Sequence, residues 1–471
     1  MGKRRHRFAL YPLIFLPILL IIYIDLHAGH LNLNTWIQSE YAFHTRRIIG
    51  INITAEDDHQ ESFKVPLSRL VRGEEGRNLE TKGFACHSSD FSLLCVASQP
   101  VRIDTRSSNI TVHIPSDLAV QETNIRPYGR QENNFLQHIK PVNILHGNHS
   151  PVPECEVSHI VPALIFSSAY IGNTFHEFSD LIIPLFLTSN HLKSRVLIIL
   201  DDYNSSFVDK FRPILSRLSA YEVMNPAENR SIHCFTGSII GLTYHDVLTL
   251  DPKKVPGDYT MTDFKLFLRE TFNLENAHIS QIRSPTLLLL SRTKTRRFLN
   301  EDEMVAMIKE MGFRVIIGRD AMVANMTTFS RIVNSCSVLV GVHGAGLTNE
   351  LFLPAGGVMV QLELLGLEFA SSYSFGNPAP AMGVHYVPYS MEPEESSLVE
   401  LYGRHHAVIV NSSSVYEKGY QEVQKVYLDQ PNVRVNIARF RESSLVQALE
   451  LVTDSQSQHI VGGQKVTPIS N

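Results

Sequence analysis

The chain has 471 residues and a formal net charge of −5, with 44% hydrophobic and 19% charged residues. This length allows two or three domains with a sizeable core, and the composition is that of a globular protein, not a disordered or fibrous one. Without overall basicity, nucleic acid is excluded as a partner.

Positive charge gathers at the N-terminus, where Lys3, Arg4, Arg5 and Arg7 precede an uncharged run of 17 residues, Phe8 to Ile24. That run sits at the short end of a membrane span. A cleaved signal peptide is the competing reading, but Ile24-Asp25-Leu26-His27 offers no small-residue cleavage site. The basic flank stays cytoplasmic. The expectation is a cytoplasmic tail over 1–7, a transmembrane anchor over 8–24 and a lumenal remainder. Residues 25–80 are polar and mixed in charge, as in a stem.

Lumenal chain exposes glycosylation acceptors, and Asn-x-Ser/Thr occurs at Asn52, Asn109, Asn148, Asn204, Asn229, Asn325 and Asn411. The five cysteines leave at least one without an intrachain partner. Cys86 and Cys95 are close enough for a local bridge, Cys155 can pair with Cys234, and Cys336 reads as a free core thiol. No pair has zinc spacing, so no structural metal is expected.

Folded chain is expected from Gly83 onward. Val101–Asp104 and Ile110–Val112 alternate as strands do, and Ala163–Phe166 and Val196–Leu200 read as buried strands. Pro184 is expected to limit any helix over Leu181–Leu187, and Pro213 to interrupt one over Phe207–Leu218. The second half is more regular. Strands are expected at Thr286–Leu290, Arg314–Ile317, Val338–Val342 and Val358–Leu364. Helices alternate with them: one capped by Asn300, with Glu303 in the capping-box position, one over Thr327–Asn334 and one over Leu347–Phe352. This alternation predicts an α/β fold with a parallel sheet. Ligands of such sheets lie beyond the carboxyl ends of the strands, where Arg292 and His343 fall.

The turn His343-Gly344-Ala345-Gly346-Leu347-Thr348, between a buried strand and a helical segment, lets a ligand approach the backbone closely. A helix N-terminus behind it turns free N–H groups and positive potential towards an anion. The competing reading is a buried turn with a satisfied histidine.

Several stretches resemble glycosyltransferase family 61. They include VNSCSVLVGVHGAGLTNELFLPAGGVMVQL, SRTKTRRFLNEDEM and YIGNTFHEFSDLIIPLFLTS. Shorter matches in the same order are CHSSDFSLLC, NIRPYGR, LSAYEV, NPAENRSIHCF, DYTMTDFKLFLRE and VYLDQPNVRVNIARF. The spacing is most similar to the plant branch that decorates xylan. The resemblance implies a GT-B-like fold of two Rossmann-like domains facing across a cleft. It divides the chain into an N-terminal acceptor-side domain at 81–275, a C-terminal nucleotide-sugar domain at 276–455 and a tail at 456–471. It further implies Golgi residence, a UDP-sugar donor, a xylan-type acceptor and inversion, and leaves open a complex with other Golgi glycosyltransferases.

Glycosyl transfer must stabilise a leaving nucleotide diphosphate and deprotonate an acceptor hydroxyl. No Asp-x-Asp pair is present to hold a metal, so a divalent metal is not expected to be essential and no cofactor is called for. Arg292, Arg296 and Arg297 beside the turn fit the first task, because guanidinium groups bind phosphate bidentately. A solvated basic turn is the plainer account of Arg296 and Arg297. For the base, His176 and Asp180 share a helix face at i, i+4, with Glu177 beside them. A histidine that packs a domain interface competes. Glu363 is a candidate for ribose or sugar contact. The stretch Glu363–Phe369 lacks the Pro and Trp usual in the xylan branch, and Glu350 replaces a usually apolar residue, which leaves the sugar open.

An α/β-hydrolase is rejected because no Gly-x-Ser-x-Gly occurs. Two alternatives stay open: a catalytically silent scaffold or glycan-binding member of the family, and a transferase of another sugar to an N-glycan or protein.

Overall fold

In the second half, five short runs of chain each close on a neighbour in the same direction. The parallel sheet they form has the order Arg314–Gly318, Thr286–Leu290, Val338–Val342, Val358–Glu363, His385–Ser390. The middle three strands are buried along their whole length, because helices cover both faces and no side of the strand meets water. Leu288, Leu290, Leu339 and Met359 face Phe329, Val333, Leu347 and Phe352. Leu287, Leu289, Val340, Val360 and Leu362 face Met304, Ile308, Phe440 and Val452. From Thr286–Leu290 the chain runs out to the edge strand Arg314–Gly318 and returns on the other side at Val338–Val342. The order reverses between those two neighbours, which opens a crevice at their carboxyl ends.

The coordinates come from a computed structural model that describes residues 63–89, 91–132 and 134–462, all within one compact unit beginning at Phe63. The expected tail at 1–7, the anchor at 8–24, most of the stem and Asn52 lie outside the described residues. Among the described residues no helix is long and apolar enough to cross a membrane.

The first half carries two mixed sheets in place of a second all-parallel one. The five-stranded sheet has the order Phe84–Ser88, Leu93–Ala97, Ser238–Ile240, Ala163–Phe166, Leu197–Leu200. Its last three strands are parallel, and the first two form an antiparallel hairpin. Cys86 lies opposite Cys95 in that hairpin, and the two are bonded. The six-stranded sheet has the order Gln121–Ile125, Val142–Gly147, Thr111–Pro115, Val101–Asp104, Ile232–Phe235, Val157–Ser158. Cys155 and Cys234 bridge its edge. Ile103, Val112, Ile144, Ile165, Ile199 and Ile240 fill the space between the sheets.

Five expectations are corrected. The folded chain begins before Gly83: Lys64–Ser68 and Gly73–Lys82, assigned to the stem, are helices that bury Leu67 and Leu79. Few apolar residues sit among many polar ones there, so the core contact does not register in composition. The terminal helix Val446–Gly462 runs beyond residue 455, with Gln456 donating to the carbonyls of Ile279 (3.3 Å) and Ile282 (3.1 Å). Ser205–Leu218 is continuous through Pro213, because the carbonyl that loses its donor belongs to exposed Asp209. Pro184 does not end its helix either. A π-helical segment, Glu177–Ile182, widens the preceding turn, and Pro184 falls in the first turn of Ile183–Ser189, where its missing N–H is tolerated. Asn300 makes no cap bond to the helix Glu301–Glu310. Its amide instead exchanges two hydrogen bonds with the backbone of Val435, at 2.8 and 3.0 Å.

Candidate active site

After strand Ala163–Phe166 the chain turns at Gly172, whose φ of 91° suits glycine, and enters the helical stretch that begins at Thr174. Asn173 caps it by accepting the Phe175 N–H at 3.1 Å. Asp180 lies in the π-helical turn, fully buried; such turns recur at functional sites. Its Oδ2 lies 3.0 Å from His176 Nδ1 and accepts the Tyr128 hydroxyl at 3.2 Å. A carboxylate only accepts, so Nδ1 of His176 carries the proton and Nε2 holds a lone pair. The His176 side chain is 23% exposed. It is therefore oriented as a proton acceptor at the edge of a crevice. Arg130 reaches the same place. Burial works against its charge, but Tyr244, Asp180, Tyr373 and Glu132 hold its pKa above the ordinary value.

The facing wall comes from the parallel sheet. Strand Val338–Val342 ends at His343, and Gly344 follows with φ 150°. A Cβ there would lie 2.5 Å from Arg296 Nη1 and 3.4 Å from Arg292 Nη1, so the missing side chain lets the Arg296 guanidinium sit against this turn. Arg296 Nη1 donates to the His343 carbonyl at 2.8 Å, and its Nε is buried without a partner. Arg296 also holds φ 56°, uncommon for a residue with a side chain. Burial and then Arg292 lower its pKa to about 10. Burial lowers Arg292 as well, against Asp320 and Asp429. Two adjacent, partly desolvated cations are an unsatisfied arrangement that an anion completes.

His343 is the counterpart of His176 with the opposite tautomer. The Gln361 amide donates to its Nδ1 at 2.9 Å, and Ser371 Oγ lies 3.2 Å from the same atom. Nε2 therefore carries the proton and is a donor. Burial, then Arg296, lowers the pKa of His343 to about 4, so it is neutral at physiological pH. The Gln361 carbonyl oxygen accepts from Tyr386 at 3.2 Å. Beyond Gly344 the chain forms a tight 3₁₀ turn, Ala345–Phe352. Its first internal bond is Leu347 N to Gly344 O, 3.0 Å, which leaves the N–H groups of Ala345 and Gly346 ahead of it. An aromatic chain joins the two walls: His176 to Phe175 at 5.3 Å, Phe175 to Phe375 at 5.4 Å and Phe375 to His343 at 5.7 Å between ring centroids.

Of the residues singled out by sequence, the structure brings together His176, Asp180, Arg292, Arg296, His343, Gly344, Ala345 and Gly346. Leu347 and Thr348 turn their side chains into the core, so they can offer only backbone. Arg297 points away to Asn432, which accepts from its backbone N–H at 3.1 Å. Glu177 is buried in an ion pair with Lys210 and accepts the Gly172 N–H at 3.0 Å; it orders the turn and has no open oxygen for a substrate. Glu363 is buried, accepting from Tyr386 at 3.0 Å and Ser390 at 2.8 Å. Tyr128, Arg130, Gln361, Ser371 and Phe375 were not assigned roles from sequence. The NIRPYGR motif, containing Tyr128 and Arg130, and the stretch ending in Gln361-Leu362 carried a signal; Ser371 and Phe375 had none.

Asn109, Asn148, Asn229, Asn325 and Asn411 are exposed, and Asn204 is half-buried. Cys336 is buried, donates to the Ile332 carbonyl, and has its thiol pKa pushed up to about 12 by burial. Among the described residues no three His, Cys, Asp or Glu side chains gather as a metal site. A cavity of about 910 Å³ lies elsewhere, lined in part by Lys82, Gln99 and Asn148.

The family pattern of Glycosyltransferase 61 matches residues 154–360. An alpha-1,3-arabinosyltransferase of Oryza sativa subsp. japonica is 35% identical over 389 residues, covering 80% of this chain and 67% of that protein. A beta-1,2-xylosyltransferase of the same organism is 36% identical over 421 residues, 84% of this chain and 74% of that protein. A xylan glycosyltransferase of Arabidopsis thaliana is 31% identical over 419 residues, 84% of each chain.

Proposed function

The chain belongs to glycosyltransferase family 61, and on that premise we propose that it transfers a pentose, arabinofuranose or xylose, from a UDP-sugar to a xylan-type polysaccharide with inversion. The observation that carries this reading is the pairing of two histidines of opposite tautomer across one crevice. His176, oriented by Asp180, accepts a proton at Nε2. His343, oriented by Gln361, donates a hydrogen bond from Nε2–H beside Arg292 and Arg296. Relatives named for arabinosyl, xylosyl and xylan transfer supply the sugar class and the acceptor.

In the reaction, an acceptor hydroxyl gives its proton to His176 Nε2 as its oxygen attacks the anomeric carbon. The bond from that carbon to the phosphate oxygen breaks on the opposite face, which inverts the centre. The leaving UDP keeps the electron pair. Arg292, Arg296, His343 Nε2–H and the Ala345 and Gly346 N–H groups stabilise the charge that develops. Asp180 keeps the His176 ring in place and offsets the charge it acquires. These groups do the work a metal does elsewhere, so the reaction proceeds without one.

The parallel sheet is the donor half of a GT-B pair, and the mixed sheets form the acceptor half. The chain resides in the Golgi as a single-pass type II protein anchored by residues 8–24, a glycoprotein working with other Golgi glycosyltransferases. Two disulfides and exposed acceptor triplets fit an oxidising lumen.

The test is to offer the purified full-length chain UDP-xylose, UDP-arabinofuranose and UDP-N-acetylglucosamine with xylo-oligosaccharides, with and without EDTA, and read products by mass. Pentose gain that survives EDTA is expected. Transfer of N-acetylglucosamine alone would overturn the pentose assignment. Absence of both transfer and UDP binding would make the chain a silent member of its family.

A further inference from the structure

Between strands Val358–Glu363 and His385–Ser390 the chain forms a helical segment, Glu368–Ser371 continued by Ser372–Gly376. Its two faces differ. Ser371 and Phe375, four residues apart, are buried against His343. Phe369 and Tyr373, also four apart, point outward at 80% and 38% exposure. Their rings lie nearly parallel, 10° between planes and 5.9 Å between centroids. Phe369 is the most exposed large apolar side chain of the described residues. An aromatic ring left so open beside a functional crevice marks a contact surface.

Resting on the transferase reading, we propose that Phe369 and Tyr373 form a stacking ledge for the acceptor, binding the pyranose units of the polysaccharide that flank the reacting residue. Two observations point to a sugar chain there. The ledge shares its helix with Phe375, whose ring reaches both His343 and Phe175, so it borders the reacting centre. Tyr373 and Asp180 both lie within electrostatic reach of Arg130, so the ledge and the base share a charged neighbour. An acceptor longer than one unit must leave the crevice beside His176. A pyranose presents an apolar C–H face to an aromatic ring and a rim of hydroxyls to groups such as Arg130. The offset-stacked rings leave the outer face of Phe369 open, an area on the scale of one sugar unit.

The experiment uses the full-length chain and its variants F369A, F369W and Y373A. Xylohexaose and UDP binding are measured separately by calorimetry, and transfer is assayed against xylohexaose and xylobiose. F369A should weaken xylohexaose binding and raise its KM by about tenfold, as expected for uncovering one aromatic face. UDP affinity should hold, F369W should restore xylohexaose binding, and xylobiose should be less affected than xylohexaose. Equal xylohexaose binding by wild type and F369A would overturn the proposal. A change from dimer to monomer in F369A, with glycan binding intact, would also overturn it and make the ledge a self-association face. Failure of the donor reading appears separately, as absent UDP binding in the wild type. Xylohexaose binding still tests the ledge in that case.

Discussion

Gly344→Ala is the sharpest probe of the anion cradle. The added Cβ would stand 2.5 Å from Arg296 Nη1, closer than carbon and nitrogen approach, and the backbone at φ 150° resists the change. Arg296 has to swing out. Its 2.8 Å bond to the His343 carbonyl is then lost, a cost of roughly 1.5–3 kcal/mol for a charged donor. A diphosphate bound by the two guanidinium groups loses a contact of similar size. At about 1.4 kcal/mol per factor of ten, UDP affinity should fall roughly 10- to 100-fold. Calorimetric titration with UDP and with uridine separates the causes, since uridine has no phosphate to lose and should bind within about twofold of wild type. Unchanged UDP affinity, or an equal loss for uridine, would refute the cradle and leave Arg296 as a structural residue.

Three further outcomes follow from the geometry. Asp180→Asn should lower kcat by roughly two to four orders of magnitude, the scale of general-base assistance, with little change in UDP affinity; a loss under about fivefold in a steady-state assay would remove His176 as the base. Gln361→Glu should reverse the His343 tautomer, because a carboxylate accepts where the amide donates. UDP binding should weaken, and the ring-nitrogen NMR signals of His343 should exchange character; signals unchanged from wild type would mean that Gln361 does not set the tautomer. Burial raises the Glu350 pKa well above its ordinary 4.5, with Lys265 opposing, and both its oxygens lack partners. The folded chain therefore holds this proton to a higher pH than the unfolded chain does. Stability from this group is present below pH 4.5 and lost as pH rises. Glu350→Gln should gain on the order of 1–3 kcal/mol at pH 7 in urea unfolding and much less at pH 4; an equal gain at both would mean Glu350 is ionised in the fold.

The parallel sheet was legible because its central strands are apolar on both faces, and a run such as Thr286–Leu290 has no other use for four leucines in a row. Its outer strand His385–Ser390 was not recognised: it alternates buried and exposed positions and contains Pro388, as an edge strand may. The first half was harder, since Gln121–Ile125 is mostly exposed and polar and draws its order from its partner strand. In the site, residues four apart or in one tight turn were found, His176 with Asp180 and His343 with Gly344. What escaped was pairing across distance. Glu177 looked like a candidate base until Lys210, 33 residues on, occupied it. Gln361 lies 18 residues from the ring it orients, and Arg297 faces Asn432, 135 residues away. Local spacing carries no trace of such partners.

The sealed thiol of Cys336 bears on how the other four cysteines find each other. Thiol–disulfide exchange needs an accessible thiolate, and Cys336 is buried against the Ile332 carbonyl with its pKa pushed to about 12. In an unfolded chain any of the five cysteines can be the one left over, and each choice leaves three ways to pair the rest. Once helix Met326–Asn334 and strand Val338–Val342 close over Cys336, only those three pairings of Cys86, Cys95, Cys155 and Cys234 remain. The hairpin register that sets Cys86 against Cys95 then selects one, so the odd cysteine is a bystander to oxidative folding and not a source of scrambled bridges.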